Sequence, residues 1–169
     1  NTEVRTAELV YAGQEVEITE TAADFCNERQ KAAVSLDKVL EQDKRFDIGK
    51  NGELSAVTFG LFAAEELTAA DGSIIPADGL LEIVSVDENG HAVCKTDLPF
   101  GNYYLKELST DGHYILSDEK YPIVFEYAGQ DTVLVDIKAN GGAPIENKLL
   151  YGEIHGLKKD EDGSGLVGA

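Results

Sequence analysis

The chain has 169 residues with 14 Lys+Arg against 32 Asp+Glu, a net charge of −18 and a pI near 4.3. That balance excludes a phosphate-neutralising nucleic-acid reader and repels an anionic membrane surface. With 43% hydrophobic residues the chain can bury a core. No apolar run is long enough to span a bilayer.

No signal peptide is legible at the start, and an opening Asn1 in a chain without Met reads as a mature or excised piece. Its two cysteines, Cys26 and Cys94, do not make a disulfide scaffold, and whether they pair stays open. The first organising signal is internal repetition. Tyr11-Ala-Gly-Gln14 recurs as Tyr127-Ala-Gly-Gln130, Asn27 is echoed by Asn147 and Lys38 by Lys158, at a spacing of about 120 residues. Leu54-Ser-Ala-Val57 has a counterpart in Leu166-Val-Gly-Ala169. The chain therefore divides into 1–30, the last strands of one repeat, 31–150, a complete repeat, and 151–169, the opening strand and turn of the next.

Within the complete unit the hydrophobic period is two. Val34, Leu36 and Lys38 form the first alternating set and Val57, Phe59 and Leu61 the second. The run Leu61–Ala70 holds Ala-Ala-Glu-Glu-Leu and predicts a short helical turn. Asn89-Gly90, between Ile83–Val86 and Ala92–Cys94, predicts a type I′ hairpin. Further alternating sets follow at Tyr103, Leu105 and Glu107, at Val133, Val135 and Ile137, and at Ile145, Asn147 and Leu149. Turn signals separate them at Lys50-Asn-Gly52, Asp71-Gly72, Leu98-Pro-Phe-Gly101 and Asp111-Gly112. Short strands at this spacing predict an all-β fold, an antiparallel sandwich or barrel.

Three polar residues stand where that alternation calls for apolar ones. Side chains two apart share a face, so Lys38 points with Val34 and Leu36, Glu107 with Tyr103 and Leu105, and Asn147 with Ile145 and Leu149. Each could simply end its strand, with Lys38 reaching out to solvent. Together they are chemically complementary. Burial favours a neutral, nucleophilic amine and a neutral, proton-donating carboxyl. A carboxamide between them is an electrophile, so Lys38 can attack Asn147 while Glu107 shuttles protons and ammonia leaves. Asn140 is a rival electrophile; Asn147 is preferred because Asn27 matches it in the preceding unit.

At these residues the chain resembles a known family. Leu98-Pro-Phe-Gly-Asn-Tyr-Tyr-Leu-Lys-Glu107 followed by Asp111-Gly-His-Tyr114 is similar to the signature of collagen-adhesin B-type (CnaB-like or SpaA-like) repeats. Val34–Lys38, Leu54–Phe59 and Ile145–Asn147 resemble the opening and closing strands of the same unit, although the link from Lys38 to Leu54 is long and Val57 replaces the usual Ala. The resemblance implies a prealbumin-like, inverse-immunoglobulin sandwich used as a stalk or pilin repeat on Gram-positive cell surfaces, cell-wall-anchored through a segment outside 1–169. It also implies an intramolecular Lys38–Asn147 isopeptide bond, with Glu107 as its catalyst and no cofactor. Expected partners are neighbouring repeats of the same chain, with a host extracellular matrix protein or glycan as a further possibility, and neither nucleic acid nor membrane.

Other patterns carry less. Asp160-Glu-Asp-Gly-Ser-Gly165 opens like an EF-hand loop, but no helix precedes it and no closing Glu follows, so it reads as a solvated hairpin turn. His91, His113 and His155 are scattered without zinc spacing. Two other classes of function stay open. One is a ligand-binding module presenting loops 42–53, 68–79 and 109–121. The other is an accessory domain of a larger surface enzyme.

Overall fold

The computed structural model describes residues 29–163 apart from Ala70, Leu157 and Asp160. Ten strands carry the fold, with no α-helix among the described residues: β1 (Lys31–Leu40), β2 (Thr58–Ala63), β3 (Leu67–Thr68), β4 (Ile74–Ile75), β5 (Leu80–Ser85), β6 (His91–Val93), β7 (Gly101–Ser109), β8 (Lys120–Phe125), β9 (Leu134–Lys138) and β10 (Ile145–Asn147). One sheet runs β5-β2-β7-β8, antiparallel throughout. The other is organised on β1. Its first half pairs in parallel with β9, its second half in parallel with β10, and β6 lies antiparallel on its other edge. The all-β architecture expected from the period-two pattern is the one observed, closed as a sandwich of two sheets rather than a barrel.

The alternating residues meet between the sheets. Val34 and Leu36 from β1, Phe59 and Leu61 from β2, Tyr103 and Leu105 from β7, Ile123 and Phe125 from β8 and Ile145 from β10 are all buried in one cluster. Each fully buried large side chain contributes about 1.5–3 kcal/mol by removing apolar area from water. The signature loop before β7 is built into this core. Leu98 is buried, Phe100 packs on Phe125 with ring centroids 4.7 Å apart, and the Tyr103 hydroxyl donates to the Pro99 carbonyl at 2.6 Å.

Two local expectations are corrected. No helical turn forms over Leu61–Ala70: Leu61–Ala63 complete β2 and Leu67–Thr68 are β3, while Ala70 lies outside the described residues. Five helix-favouring residues cannot outweigh nucleation when Leu61 and Ala63 are buried between two paired strands. The Asn89-Gly90 turn exists but is not type I′. Only Gly90 has positive φ, at 83°, in a loop closed by Gly90 N–H to Asp87 O at 2.9 Å and Asp87 N–H to His91 O at 2.8 Å. Its arms diverge, β5 to one sheet and β6 to the other, so the turn is a corner between layers.

Val133 also departs from its alternating set. It is exposed ahead of β9, whose Val135 and Ile137 are half-buried. Cys94 is a free, buried thiol whose pKa desolvation pushes up to about 12. Its suggested partner Cys26 lies outside the described residues, as does Asn27.

Candidate functional site

Lys38 follows Val34 and Leu36 inward near the end of β1, where its backbone N–H is held by Gly90 O at 2.7 Å. Asn147 ends β10, which lies parallel to β1 with Leu40 opposite Asn147. Glu107 comes from the facing sheet, on β7 opposite Phe59 of β2. The site thus bridges the two layers, two residues from one and one from the other. Lys38, Glu107 and Asn147 are each 1% exposed, as deeply buried as the apolar residues around them.

The structure brings the three side chains into one hydrogen-bonded cluster. Lys38 Nζ donates to Asn147 Oδ1 at 2.5 Å and sits 3.2 Å from Glu107 Oε1. Asn147 Nδ2 donates to both carboxylate oxygens of Glu107, each at 2.9 Å. The ammonium also lies 5.9 Å from the centre of the Phe59 ring, whose face attracts a cation. Burial pushes the Lys38 pKa below its usual 10.5, while the charge and hydrogen bond of Glu107 and the charge of Glu146 pull it back up. Every buried side-chain nitrogen and oxygen among the described residues finds a partner.

This arrangement specifies the amide's orientation. A carboxylate only accepts and an ammonium only donates, so Asn147 turns its nitrogen to Glu107 and its oxygen to Lys38. The acid therefore faces the amide nitrogen and the amine faces the carbonyl oxygen. The amine, the carboxamide and the carboxyl are in mutual contact, an arrangement from which amide exchange with loss of ammonia can start.

Sequence reading missed two contributors. Thr110 Oγ1 accepts from Asn147 Nδ2 at 3.0 Å, and the Ser117 backbone N–H donates to Glu107 Oε2 at 3.0 Å. Both lie beyond the end of β7, in a stretch whose sequence signals only a turn, so no periodicity could direct them inward. The Tyr114 hydroxyl, donating to Glu41 O at 2.9 Å, ties this stretch to the residue just past β1.

The remaining candidates lie elsewhere. Asn140 occupies an exposed left-handed turn with φ 54°, its amide donating to Ala143 O, and takes no part in the cluster. Lys158 is exposed, and of the turn at Asp160–Gly165 only Glu161–Gly163 are described, as an exposed turn. His91, His113 and His155 each pair with a surface carboxylate, and no group of three metal-type ligands occurs among the described residues. Loop 42–53 carries an exposed Phe46 and borders a cleft of about 340 Å³ between Gly49–Ser55 and Val86–Glu88.

A family model described as SpaA, prealbumin-like fold domain, matches residues 40–140. Glu107 lies inside that span, Lys38 and Asn147 just outside it. Among solved structures, the chain is similar to the Corynebacterium diphtheriae major pilin SpaA, at 22% identity over 70% of this chain and 30% of that one, with a TM-score of 0.43. It is similar to the group B streptococcus pilus 2b backbone protein, at 18% identity over 72% of this chain and 42% of that one, with a TM-score of 0.42. The T6 backbone pilin of serotype M6 Streptococcus pyogenes matches at 24% identity over 56% of this chain and 16% of that one, with a TM-score of 0.35. The chain spans less than half the length of each. No curated protein sequence matches it.

Proposed function

The chain belongs to the SpaA prealbumin-like fold domain family, and on that premise we propose that it is a stalk or shaft repeat of a Gram-positive cell-surface pilin or adhesin, locked by a self-formed amide between Lys38 and Asn147 with Glu107 carrying the proton. One observation carries the reading: an amine, a carboxamide and a carboxyl in direct contact, fully enclosed in an apolar core. A buried ion pair is on average no more stabilising than apolar packing, so the cluster calls for a gain beyond its own hydrogen bonds.

The chemistry balances with no added reagent. A proton passes from Lys38 Nζ to Glu107 Oε1, and the freed amine attacks Asn147 Cγ. The carbon–nitrogen bond to Nζ forms as the carbonyl opens to a tetrahedral centre. Glu107 then delivers the proton to Nδ2, the Cγ–Nδ2 bond breaks, and the departing ammonia takes the surplus proton of Nζ, leaving as ammonium. A protonated amine and a carboxamide become a secondary amide. The carboxylate is regenerated, but the chain turns over once and on itself, without an external substrate.

The mechanical consequence follows from the parallel pairing of β1 and β10. A pull entering at Lys31 and leaving after Asn147 runs along β1 to Lys38, crosses the amide and exits. The chain between the two partners, which stand 109 positions apart, drops out of the path of the force. Without the bond it could extend by about 370 Å. Closing a loop of this size adds about 4–5 kcal/mol of stability by analogy with disulfides. In this reading residues 31–150 are one complete unit whose partners are the neighbouring repeats of its own chain.

The test is the intact mass of the denatured, reduced protein followed by peptide mapping. A deficit of one ammonia and a branched peptide joining Lys38 to Asn147 are expected, with the deficit absent in Glu107→Ala. An unmodified mass in the unsubstituted chain overturns the proposal.

A further inference from the structure

The amide nitrogen of Asn147 has two hydrogens, and the carboxylate of Glu107 takes only one direction. The other hydrogen is directed at Thr110 Oγ1, 3.0 Å away. Thr110 reaches this position because the end of β7 is pinned. Ser109 Oγ donates to Ala56 O at 2.8 Å and lies 2.7 Å from Thr58 Oγ1, so β7 ends at Ser109 and Thr110 stands between the strand and the turn closed by Tyr114 N–H to Asp111 O. Thr110 is half-buried where Lys38, Glu107 and Asn147 are sealed, which places it on the solvent side of the leaving nitrogen.

We propose that Thr110 is a second catalytic residue of the cross-link, holding the leaving nitrogen so that Glu107 can protonate it; this rests on the reaction proposed above. When Cγ becomes tetrahedral, the nitrogen acquires a lone pair that must face the Glu107 proton, and its hydrogens must point elsewhere. The Thr110 hydroxyl accepts one of them. The same oxygen can accept from the departing ammonia, and this half-exposed side chain is the least enclosed of the groups that the nitrogen touches. No step requires Thr110 to gain or lose a proton. Its methyl group carries no part of this role, which separates it from a packing contact.

The experiment follows ammonia loss in time. The chain is made by cell-free synthesis, quenched in denaturant at intervals and weighed intact, alongside T110V and T110S. Val keeps the shape and removes the acceptor, so bond formation slows on the order of tenfold or more, while Ser restores most of the rate. Once formed, the cross-linked T110V product should melt where the unsubstituted protein does, because the reaction and not the packing has lost a partner. Bond formation in T110V at the unsubstituted rate overturns this inference and leaves the cross-link standing. A T110S chain as slow as T110V also overturns it, assigning the effect to the methyl group. No ammonia loss in the unsubstituted chain overturns both.

Discussion

Two places in this molecule set a lysine against a carboxylate beside an aromatic ring, and they behave in opposite ways. In the core, Lys38 meets Glu107 with Phe59 alongside, and both charged side chains are wholly enclosed. On the outer face of the β5-β2-β7-β8 sheet, Lys120 Nζ donates to Asp78 at 3.0 Å and lies 4.0 Å from the centre of the Tyr104 ring, with side chains 54% and 69% exposed. Tyr104 also donates to Asp78 at 2.6 Å. The hydrogen bond to Asp78 raises the Lys120 pKa, whereas desolvation lowers that of Lys38 despite its closer enclosure by an acid. Pairing alone makes a more stubborn cation. Burial turns the same pair into one that can surrender a proton, and only there does a carboxamide stand within reach.

The largest difference between the two places should appear on removing the acid. Glu107→Ala strands a buried amine and is expected to cost about 3–5 kcal/mol in denaturant unfolding, beyond the loss of the proposed cross-link. Asp78→Asn at the surface, which keeps a residue suited to the φ of 58° there and an acceptor for the Tyr104 hydroxyl, should move the unfolding midpoint far less. Equal effects from the two substitutions would break the comparison.

A smaller effect is expected from the backbone that positions Lys38. A Cβ on Gly90 would stand 2.0 Å from Lys38 O, at a φ of +83° that L side chains rarely adopt. Gly90→Ala should therefore displace this end of β1, costing about 1–3 kcal/mol and slowing ammonia loss. The control is Gly112→Ala, where nothing lies within 4 Å of the added atom and φ is not in the left-handed range, and which should be near neutral.

Opposite pKa shifts predict opposite pH dependences. In an Asn147→Ala chain, which cannot cross-link, Lys38 titrates below 10.5 when folded and near 10.5 when unfolded. Between those values the unfolded state holds more protons, so this residue's share of stability rises with pH. Below that window the cost of the buried ammonium is fully present. For Lys120, raised above 10.5, the contribution is present below 10.5 and fades as pH climbs through the raised value. Desolvation also pushes Cys94 and Tyr103 up to about 12, and their effects cancel when Asn147→Ala is compared with Lys38→Met/Asn147→Ala. The difference in unfolding free energy should move toward the Lys38-bearing chain as pH rises. No movement would mean that burial does not depress this amine.

The smallest expected signal is the thiol of Cys94. At about pH 10 an exposed thiol is mostly thiolate, yet Cys94 in the folded protein should resist a thiolate-selective alkylating reagent. Rapid labelling under native conditions would show that the core is looser around β6 than its burial implies.

Much of the fold could be read from residue order because strand alternation is a local property. Val34, Leu36 and Lys38 share a face whatever lies opposite, and the same holds for Tyr103, Leu105 and Glu107. The out-of-place polar residues were therefore visible as a set. The Asn89-Gly90 turn was misread in type because its geometry depends on where its two arms go, and β5 and β6 join different sheets. The helix-favouring run after Leu61 was misread because pairing on both sides of β2 outweighs a weak local preference.

What the sequence by itself determined is the all-β period, the facing of Lys38, Glu107 and Asn147, and the positions of the turns, all set by chain geometry over a few residues. Only the tertiary structure decided that the three polar groups touch, that the amide turns its nitrogen toward the carboxylate, and that Thr110 stands at that nitrogen. Those facts depend on the parallel register of β1 and β10, on the distance between two sheets, and on a pinned strand end. Each is a relation between residues far apart in the chain, fixed by packing and by hydrogen-bond donors and acceptors that meet only in the folded core.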